Sequence, residues 1–173
     1  MTIDFNGLGG ADNSVFTTYT EYGFTVADTS GTFRVANAGG NNFGDPEPDI
    51  YTDSTGTVTI TDGGQPFSFD SFDLGFFNAG TTAYTVTGIL GGVNAFVDSG
   101  SASDATRLSF VLVSGFSSDQ VTSVTLDLTS SNTNGANIDN ISVSTGATPE
   151  PSSAILLCTG LLGVALVVRK RFA

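Results

Sequence analysis

Apolar and polar residues alternate one by one along much of the first 148 residues. Four segments show this most clearly, and in each of them the apolar residues occupy every second position. These segments are 57–60 with Val58 and Ile60, 72–76 with Phe72, Leu74 and Phe76, 107–113 with Leu108, Phe110 and Leu112, and 121–128 with Val124, Leu126 and Leu128. Because successive side chains of a β-strand point to opposite faces, this period of two predicts strands with one apolar face.

Weaker alternation and frequent turn residues predict further strands between these four. The weaker candidates are 3–5, 23–26, 32–35, 84–89, 93–97 and 137–143. Turn sequences separate them, namely Asp62-Gly63-Gly64, the hairpin-like pair Gly91-Gly92, and 132–135. No segment before residue 150 has a helical period, so about ten short strands predict an all-β fold, an antiparallel β-sandwich of the jelly-roll kind. The serine-rich segment 98–104 is predicted to be a mobile loop.

The C-terminal end has a different pattern, made of three parts in a fixed order. Pro149-Glu150-Pro151 comes first, then 17 uncharged residues from Ser152 to Val168, and then the basic cluster Arg169, Lys170 and Arg171. The prolines fix φ and remove backbone donors, so the motif stays out of any sheet and accessible to another protein. The apolar run is just long enough for a single transmembrane helix over 152–168. The positive-inside bias then keeps the basic cluster in the cytoplasm and the preceding domain outside.

This tail resembles the PEP-CTERM sorting signal of Gram-negative bacteria. The resemblance covers residues 148–173 and implies export across the inner membrane, handling by an exosortase-type membrane protease, and a setting of exopolysaccharide and biofilm. The alternative is an ordinary single-pass anchor in which the Pro-Glu-Pro sequence is a linker. The resemblance divides the chain into an extracellular β domain over 1–143, a stalk over 144–148 and the sorting signal over 149–173. Residues 1–7 show no signal peptide, which favours a true start upstream.

Charge is distributed very unequally between the two parts of the chain. Residues 1–148 hold all but one of the 17 acidic residues and only two of the five basic ones, Arg34 and Arg107, which gives a net charge of −14. This balance argues against nucleic acid and against anionic lipid headgroups as partners. Divalent cations, neutral glycans and basic surfaces remain as natural partners. The sole cysteine, Cys158, lies within the apolar run, so no intrachain disulfide forms.

The chain contains no histidine, which removes the usual general base and the nucleophile pairs that depend on it. Paired carboxylates, as used in glycoside hydrolysis, are the remaining route to catalysis. We therefore expect a non-catalytic surface or matrix protein. A calcium-dependent glycan-binding module is the alternative, and a glycoside hydrolase of similar architecture is a third hypothesis.

Two acidic segments predict calcium binding, because hard oxygen ligands suit this ion. In an extended chain the carboxylates of Asp45, Glu47 and Asp49 would project to the same side. The alternative for this segment is a rigid, solvated acidic loop.

The second calcium prediction comes from the two ends of the β domain. Ile3-Asp4-Phe5-Asn6 and Ile138-Asp139-Asn140-Ile141-Ser142-Val143 resemble the first and last strands of a carbohydrate-binding-module jelly roll. Many such modules hold a structural calcium where those strands meet, and the resemblance implies Glu21 and Asp139 as ligands. Asp139 shares its parity with Ile141 and Val143, so we expect it to point inward, where it needs a cation or backbone donors. The alternative is a polar strand end satisfied by hydrogen bonds.

Glycan binding would depend on aromatic faces beside amides and carboxylates, and tryptophan is absent. The candidates are Tyr19, Tyr22, Tyr51 and Tyr84, of which Tyr84 falls inside a predicted strand and is expected in the core. Asn41 and Asn42 beside Phe43 have the composition of a binding loop or of a plain surface loop.

Overall fold

The computed structural model describes residues 1–37, 48–76, 80–104, 109–116, 119–130 and 135–145, and within them the chain forms ten β-strands and no helix. In chain order the strands are β1 (Thr2–Ile3), β2 (Thr18–Glu21), β3 (Phe24–Ala36), β4 (Asp49–Thr61), β5 (Phe67–Phe76), β6 (Gly80–Leu90), β7 (Val93–Asp104), β8 (Ser109–Ser114), β9 (Ser123–Ser130) and β10 (Ala136–Thr145). The all-β prediction is confirmed for this part of the chain. The described residues contain no helix long and apolar enough to cross a membrane, and the predicted span 152–168 lies outside them.

The strands pair antiparallel in one continuous sheet with the order β7-β6-β9-β4-β10-β5-β8. Strand β4 joins the β7-β6-β9 part of the sheet to the β10-β5-β8 part, because it is 13 residues long and changes partner along its length. Its first residues, up to Thr52, pair with β10, and the stretch from Thr55 to Thr61 pairs with β9. Strand β3 covers the other edge of β4, and β2 and β1 are added to β3 and β10. The sheet therefore curls nearly into a barrel around a single core.

The core consists of the inward faces of these strands and is built mainly from phenylalanine. The largest fully buried side chains include Phe5, Phe16, Phe24, Phe33, Phe67, Phe69, Phe72 and Phe76. Three of the four clear alternations are confirmed, because every apolar residue that they place on one face of β4, β5 and β9 is buried. The hairpin at Gly91-Gly92 is confirmed too, since both glycines have positive φ and Leu90 pairs with Val93.

The fourth alternation has the expected period but the opposite face. Leu112 of β8 is 63% exposed, whereas its neighbour Val113 is 5% exposed and lies in the core. Phe110, on the same face as Leu112, lies over Gly75 of β5 on the outward side. The run Val111-Leu112-Val113 is apolar at every position, so its sequence does not show which parity faces inward.

The predicted loop 98–104 is wrong, because these residues belong to β7. They pair with β6 in regular register from Asp98↔Val86 to Asp104↔Gly80. Hydroxyl pairs across the two strands hold this segment, with Thr85–Ser99 at 3.0 Å and Thr81–Ser103 at 2.7 Å. Serine here is therefore a cross-strand partner of threonine, a common way to stabilise a sheet.

Two boundaries also differ from the sequence-based expectation. The predicted strands 23–26 and 32–35 form one strand, β3, which passes through two register shifts between them. Strand β10 runs to Thr145, so Ser144 and Thr145 pair with β5 instead of forming the start of a stalk. The start of the chain lies against β10, because the Met1 amino group donates to the Val143 carbonyl oxygen at 2.7 Å.

Candidate functional site

The outward face of β4, β10 and β5 carries polar side chains that are buried, which is unusual for the outside of a sheet. Ala136 and Ile138 of β10 lie in the core, so the alternating residues Asn137 and Asp139 lie on the outward face. Asn137 is 0% exposed and Asp139 is 1% exposed. We call this region the buried polar face and define it by Asp49, Asn137 and Asp139; the half-buried Asp73 of β5 lies at its margin.

A hydrogen-bonded pair links β10 to β4 within this face. The Asn137 Nδ2 group donates to both carboxylate oxygens of Asp49, at 3.1 and 2.9 Å. Asp49, the first residue of β4, is only 1% exposed. The Asn137 Oδ1 atom is buried and accepts no hydrogen bond. Sequence analysis identified Asp49 as a candidate ligand. It placed Asn137 at the start of a predicted strand but did not recognise its side chain as part of a site.

Asp139 is buried as expected, but it does not share a face with Ile141. A bulge between Asp139 and Ser142 places Asn140 at φ +47 and reverses the parity of the strand. Asp139 therefore lies opposite Asp73 of β5, on the outward face. Its Oδ1 accepts a hydrogen bond from the Asn140 backbone N–H at 2.7 Å, and the Asn140 Nδ2 donates to Asp73 at 3.0 Å.

Glu21 lies at the end of β2 and its carboxylate binds the N-terminal segment. Its Oε2 accepts a hydrogen bond from the Asp4 backbone N–H at 3.0 Å. Burial raises the pKa of the Glu21 carboxyl above its ordinary value, and the neighbouring Asp4 charge raises it further. The described contacts thus place Glu21 with Asp4, and Asp139 with Asn140.

Within the described residues, no group of three or more acidic side chains is arranged to hold a metal ion. Asp45 and Glu47 lie outside the described residues, as do Asn41, Asn42 and Phe43. The sorting residues Pro149, Glu150 and Pro151 and the basic residues Arg169, Lys170 and Arg171 also lie outside them.

The four tyrosines have different environments. Tyr22 is 65% exposed at the β2–β3 turn, with φ +50. The Tyr19 hydroxyl accepts a hydrogen bond from the Gly7 backbone N–H at 3.1 Å, and the Tyr51 hydroxyl donates to Asn13 Oδ1 at 2.7 Å. Partial burial raises the pKa of both of these hydroxyls. Tyr84 packs edge-on against Phe72 with ring centroids 5.9 Å apart, as expected for a residue that adjoins the core.

Sequence analysis also missed a cleft of about 360 Å³ on the bend where β4 changes partner. Its lining residues are Gly31, Thr32, Arg34, Thr52, Asp53, Ser54 and Thr55. The Arg34 guanidinium donates to the Asn13 carbonyl oxygen at 3.0 Å and lies 3.5 Å from the Asp53 carboxylate. A second depression on the other side of Gly31 contains Asp127 and is also lined by hydroxyl groups. The only signal in the sequence was that Arg34 is one of the two basic residues before the tail.

Comparison with known proteins shows what the tail is. Residues 147–171 match the family model of the PEP-CTERM protein-sorting motif, so the chain carries this motif. No curated protein sequence matches the chain.

Comparison with solved structures concerns the β domain. A DUF4465 family protein from Bacteroides caccae matches with a TM-score of 0.55 at 14% identity, over 84% of this chain and 99% of that one. The TmCBM61 module in complex with β-1,4-galactotriose gives a TM-score of 0.41 at 12% identity, over 72% and 90%. The CBM22-1–CBM22-2 tandem domain of Paenibacillus barcinonensis Xyn10C gives 0.46 at 14% identity, over 84% and 49%. The match to the DUF4465 family protein, with a TM-score above 0.5 at 14% identity, shows a similarity of fold.

Proposed function

We propose that this chain is an exported, non-catalytic surface or matrix protein of a Gram-negative bacterium, sorted by an exosortase-type membrane protease and associated with exopolysaccharide. The observation that carries the proposal is the sorting motif at 147–171, which directly follows an acidic all-β domain. In this proposal the tail inserts in the inner membrane through a helix over 152–168 and is later removed. The domain then reaches the cell surface.

The surface of the β domain supports a non-catalytic role. The bend cleft offers Asp53 as a carboxylate, and the neighbouring depression offers Asp127. Glycoside hydrolysis needs two carboxyl groups facing each other across one groove, about 5–9.5 Å apart. Hydroxyl groups of threonine and serine dominate both surfaces, and these suit contact with a hydrated neutral polymer more than bond cleavage.

The sorting proposal is tested by replacing Pro149, Glu150 and Pro151 together with alanine in the producing cell. We expect the variant to remain full-length in the membrane fraction, because the protease loses its recognition sequence. Immunoblots of membrane, surface and medium fractions measure this. A matched control replaces Ser152 and Ser153 with alanine, which leaves the motif intact and keeps the apolar run uncharged. Normal release of the triple variant would show that the motif is only a linker.

A calcium-dependent glycan-binding module is the second candidate function, with Glu21 and Asp139 as the first pair of ligands to test. An exposed aromatic ring, Tyr22, favours it, because such rings stack on sugar faces. We expect saturable binding to the producing organism's exopolysaccharide in calcium and at least about tenfold weaker binding in chelator, since tenfold corresponds to about 1.4 kcal/mol. Tyr22→Asn, which tolerates positive φ, should weaken binding, while Val93→Asn on β7 should not. If Tyr22→Asn and Val93→Asn bind the exopolysaccharide equally well, Tyr22 is excluded as the contact.

A further inference from the structure

The bend cleft, which is lined by Arg34 and Asp53, forms where β3 and β4 leave regular pairing. Strand β3 passes through a register shift on either side of Gly31. Gly31 has φ +89, and a Cβ atom there would lie 2.5 Å from the Thr55 carbonyl oxygen. In β4 the Thr52 hydroxyl donates to that same carbonyl oxygen at 3.0 Å, a contact that a fully extended strand does not allow. Bulges often re-aim side chains beside binding sites, so the hollow is a regular product of how this sheet is built.

The Arg34 guanidinium is held in place from outside the cleft. It donates to the Asn13 carbonyl oxygen, and the Tyr51 hydroxyl donates to the Oδ1 atom of the same asparagine. Asn13 has φ +66, and its backbone N–H donates to the Val35 carbonyl oxygen at 2.7 Å, which fixes this segment against β3. Arg34 is therefore positioned before any ligand binds, and a preorganised group loses less entropy on binding.

The charged side chains of the cleft contact each other but remain accessible. The Arg34 and Asp53 side chains are 32% and 64% exposed, and their Nε and Oδ2 atoms lie 3.5 Å apart. An exposed ion pair of this kind adds little to the free energy of unfolding. Arg34 is also one of only two basic residues before the tail. Its position in a cleft is therefore explained better by binding than by stability.

This pair presents donors and acceptors side by side, as adjacent hydroxyl groups of a sugar require. A guanidinium has five N–H donors, so the contacts of Arg34 to Asn13 and Asp53 leave donors for a ligand. A carboxylate only accepts, whereas a sugar hydroxyl both donates and accepts. Anionic ligands are disfavoured, because residues 1–148 have a net charge of −14 and Asp53 offsets the charge of Arg34.

The size of the cleft agrees with this chemistry. Its volume of about 360 Å³ falls within the range of small-molecule sites, roughly 300–1,000 Å³, whereas the neighbouring depression at Asp127 has about 140 Å³. We infer that the bend cleft binds one neutral sugar residue of a glycan, with Arg34 donating to one hydroxyl group and Asp53 accepting from the adjacent one. This inference rests on the glycan binding of the second candidate function. It assigns a contact surface separated from Tyr22 by most of the length of β3.

An NMR titration of the full-length, ¹⁵N-labelled chain tests the inference. The buffer contains calcium and a polyoxyethylene detergent, which has no sugar headgroup. The probes are D-glucose, D-mannose and D-galactose, with sodium D-glucuronate as the anionic comparison. The chain has four arginines, and the Nε–H signal that disappears in Arg34→Lys identifies Arg34. We expect at least one neutral sugar to shift this signal saturably, with a dissociation constant on the order of 1–10 mM, and glucuronate to bind more weakly.

Two pairs of variants locate the bound sugar. Asp53→Asn should weaken binding at least about tenfold, because a neutral amide oxygen accepts less strongly than a carboxylate. Asp127→Asn removes an exposed carboxylate from the neighbouring depression and should bind as the parent chain does. Thr32→Met fills part of the cleft without changing either charged group and should abolish the shift, whereas Val97→Met on β7 should not. Asp53 and Thr32 are both exposed, so we expect their variants to fold.

The possible failures are distinguishable. If the chain binds the exopolysaccharide but no neutral sugar shifts the Arg34 signal, this inference is overturned and the glycan-binding function stands with Tyr22 as its contact. A shift with glucuronate alone would overturn the assignment of a neutral sugar. Equal weakening by Asp53→Asn and Asp127→Asn would reveal a general effect of charge and overturn the cleft as the site. If neither exopolysaccharide nor any sugar binds, the inference and the second candidate function fail together.

Discussion

Outward-facing polar residues are exposed in one region of the sheet and buried in another. Across β4, β9, β6 and β7 the outward positions carry exposed threonine and serine, with pairs such as Thr81–Ser103 in contact. Across β4, β10 and β5 the same outward parity carries Asp49, Asn137 and Asp139, which are buried. The alternation of a strand therefore gives the face of a residue but not its exposure, and only exposure decides what a polar group costs.

The difference has an energetic consequence for each region. An exposed hydroxyl pair exchanges its hydrogen bond with water at little net cost, so its loss changes stability little. A buried carboxylate depends on each donor that it has, because no water replaces a lost one. The buried polar face should therefore be far more sensitive to single substitutions than the hydroxyl-rich face.

The sharpest way to break this comparison is Asn137→Ala, which removes the donor that contacts both oxygens of Asp49. We expect a loss of about 2–4 kcal/mol in the free energy of unfolding, measured by urea denaturation in chelator. Thr81→Ala, the matched change on the hydroxyl-rich face, should cost less than about 1 kcal/mol. Equal costs in the two variants would show that the buried carboxylate has other support strong enough to replace the amide.

A smaller effect is expected at Glu21, because the burial of its carboxyl is intermediate between that of the exposed hydroxyl pairs and that of the buried polar face. Its pKa in the folded protein is raised above the ordinary 4.5, so at pH values between the two the folded state holds more protons than the unfolded state. Stability should therefore fall as pH rises through this window, and the penalty should be absent below it. The side chain of Glu21→Gln does not ionise, so the free energy of unfolding of this variant should not show this fall with pH. Comparing the stability–pH profiles of the variant and the parent chain measures the difference. An unchanged profile would mean that solvent screens the carboxylate fully.

The sequence predicted the fold wherever polar residues separate the apolar ones. Val58 and Ile60 of β4, and Phe72 and Leu74 of β5, are examples in which one parity alone is apolar. The prediction failed at Leu112, where both parities are apolar. It failed again at 98–104, where small polar residues that resemble a loop pair with the preceding strand β6, Ser99 with Thr85 and Ser103 with Thr81 among them.

The candidate site was predictable only in part, for a geometric reason. Asp49 was recognised because it belongs to an acidic run with carboxylates at alternate positions, and Asp139 because its segment resembles a closing strand. The hydrogen bonds from Asn137 to Asp49 depend on the β4–β10 register, which joins residues far apart in the chain. The orientation of Asp139 depends on the bulge at Asn140, and one extra residue reverses the face of every position beyond it.

Strand β10 has a mechanical role that follows from its place in the sheet. It is bonded to β5 along one side and to β4 and β1 along the other, and the sorting tail continues from its end. While the tail holds the domain at the membrane, as proposed above, a pull on the tail would enter the sheet through β10. An edge strand such as β7 is paired along one side only, whereas β10 is paired with β5 along most of its length and also with β4 at its start and with β1 at Ile141 and Ser142. The sorting tail thus continues from a strand in the interior of the sheet and not from an edge strand, so a pull on it would act on the core of the domain.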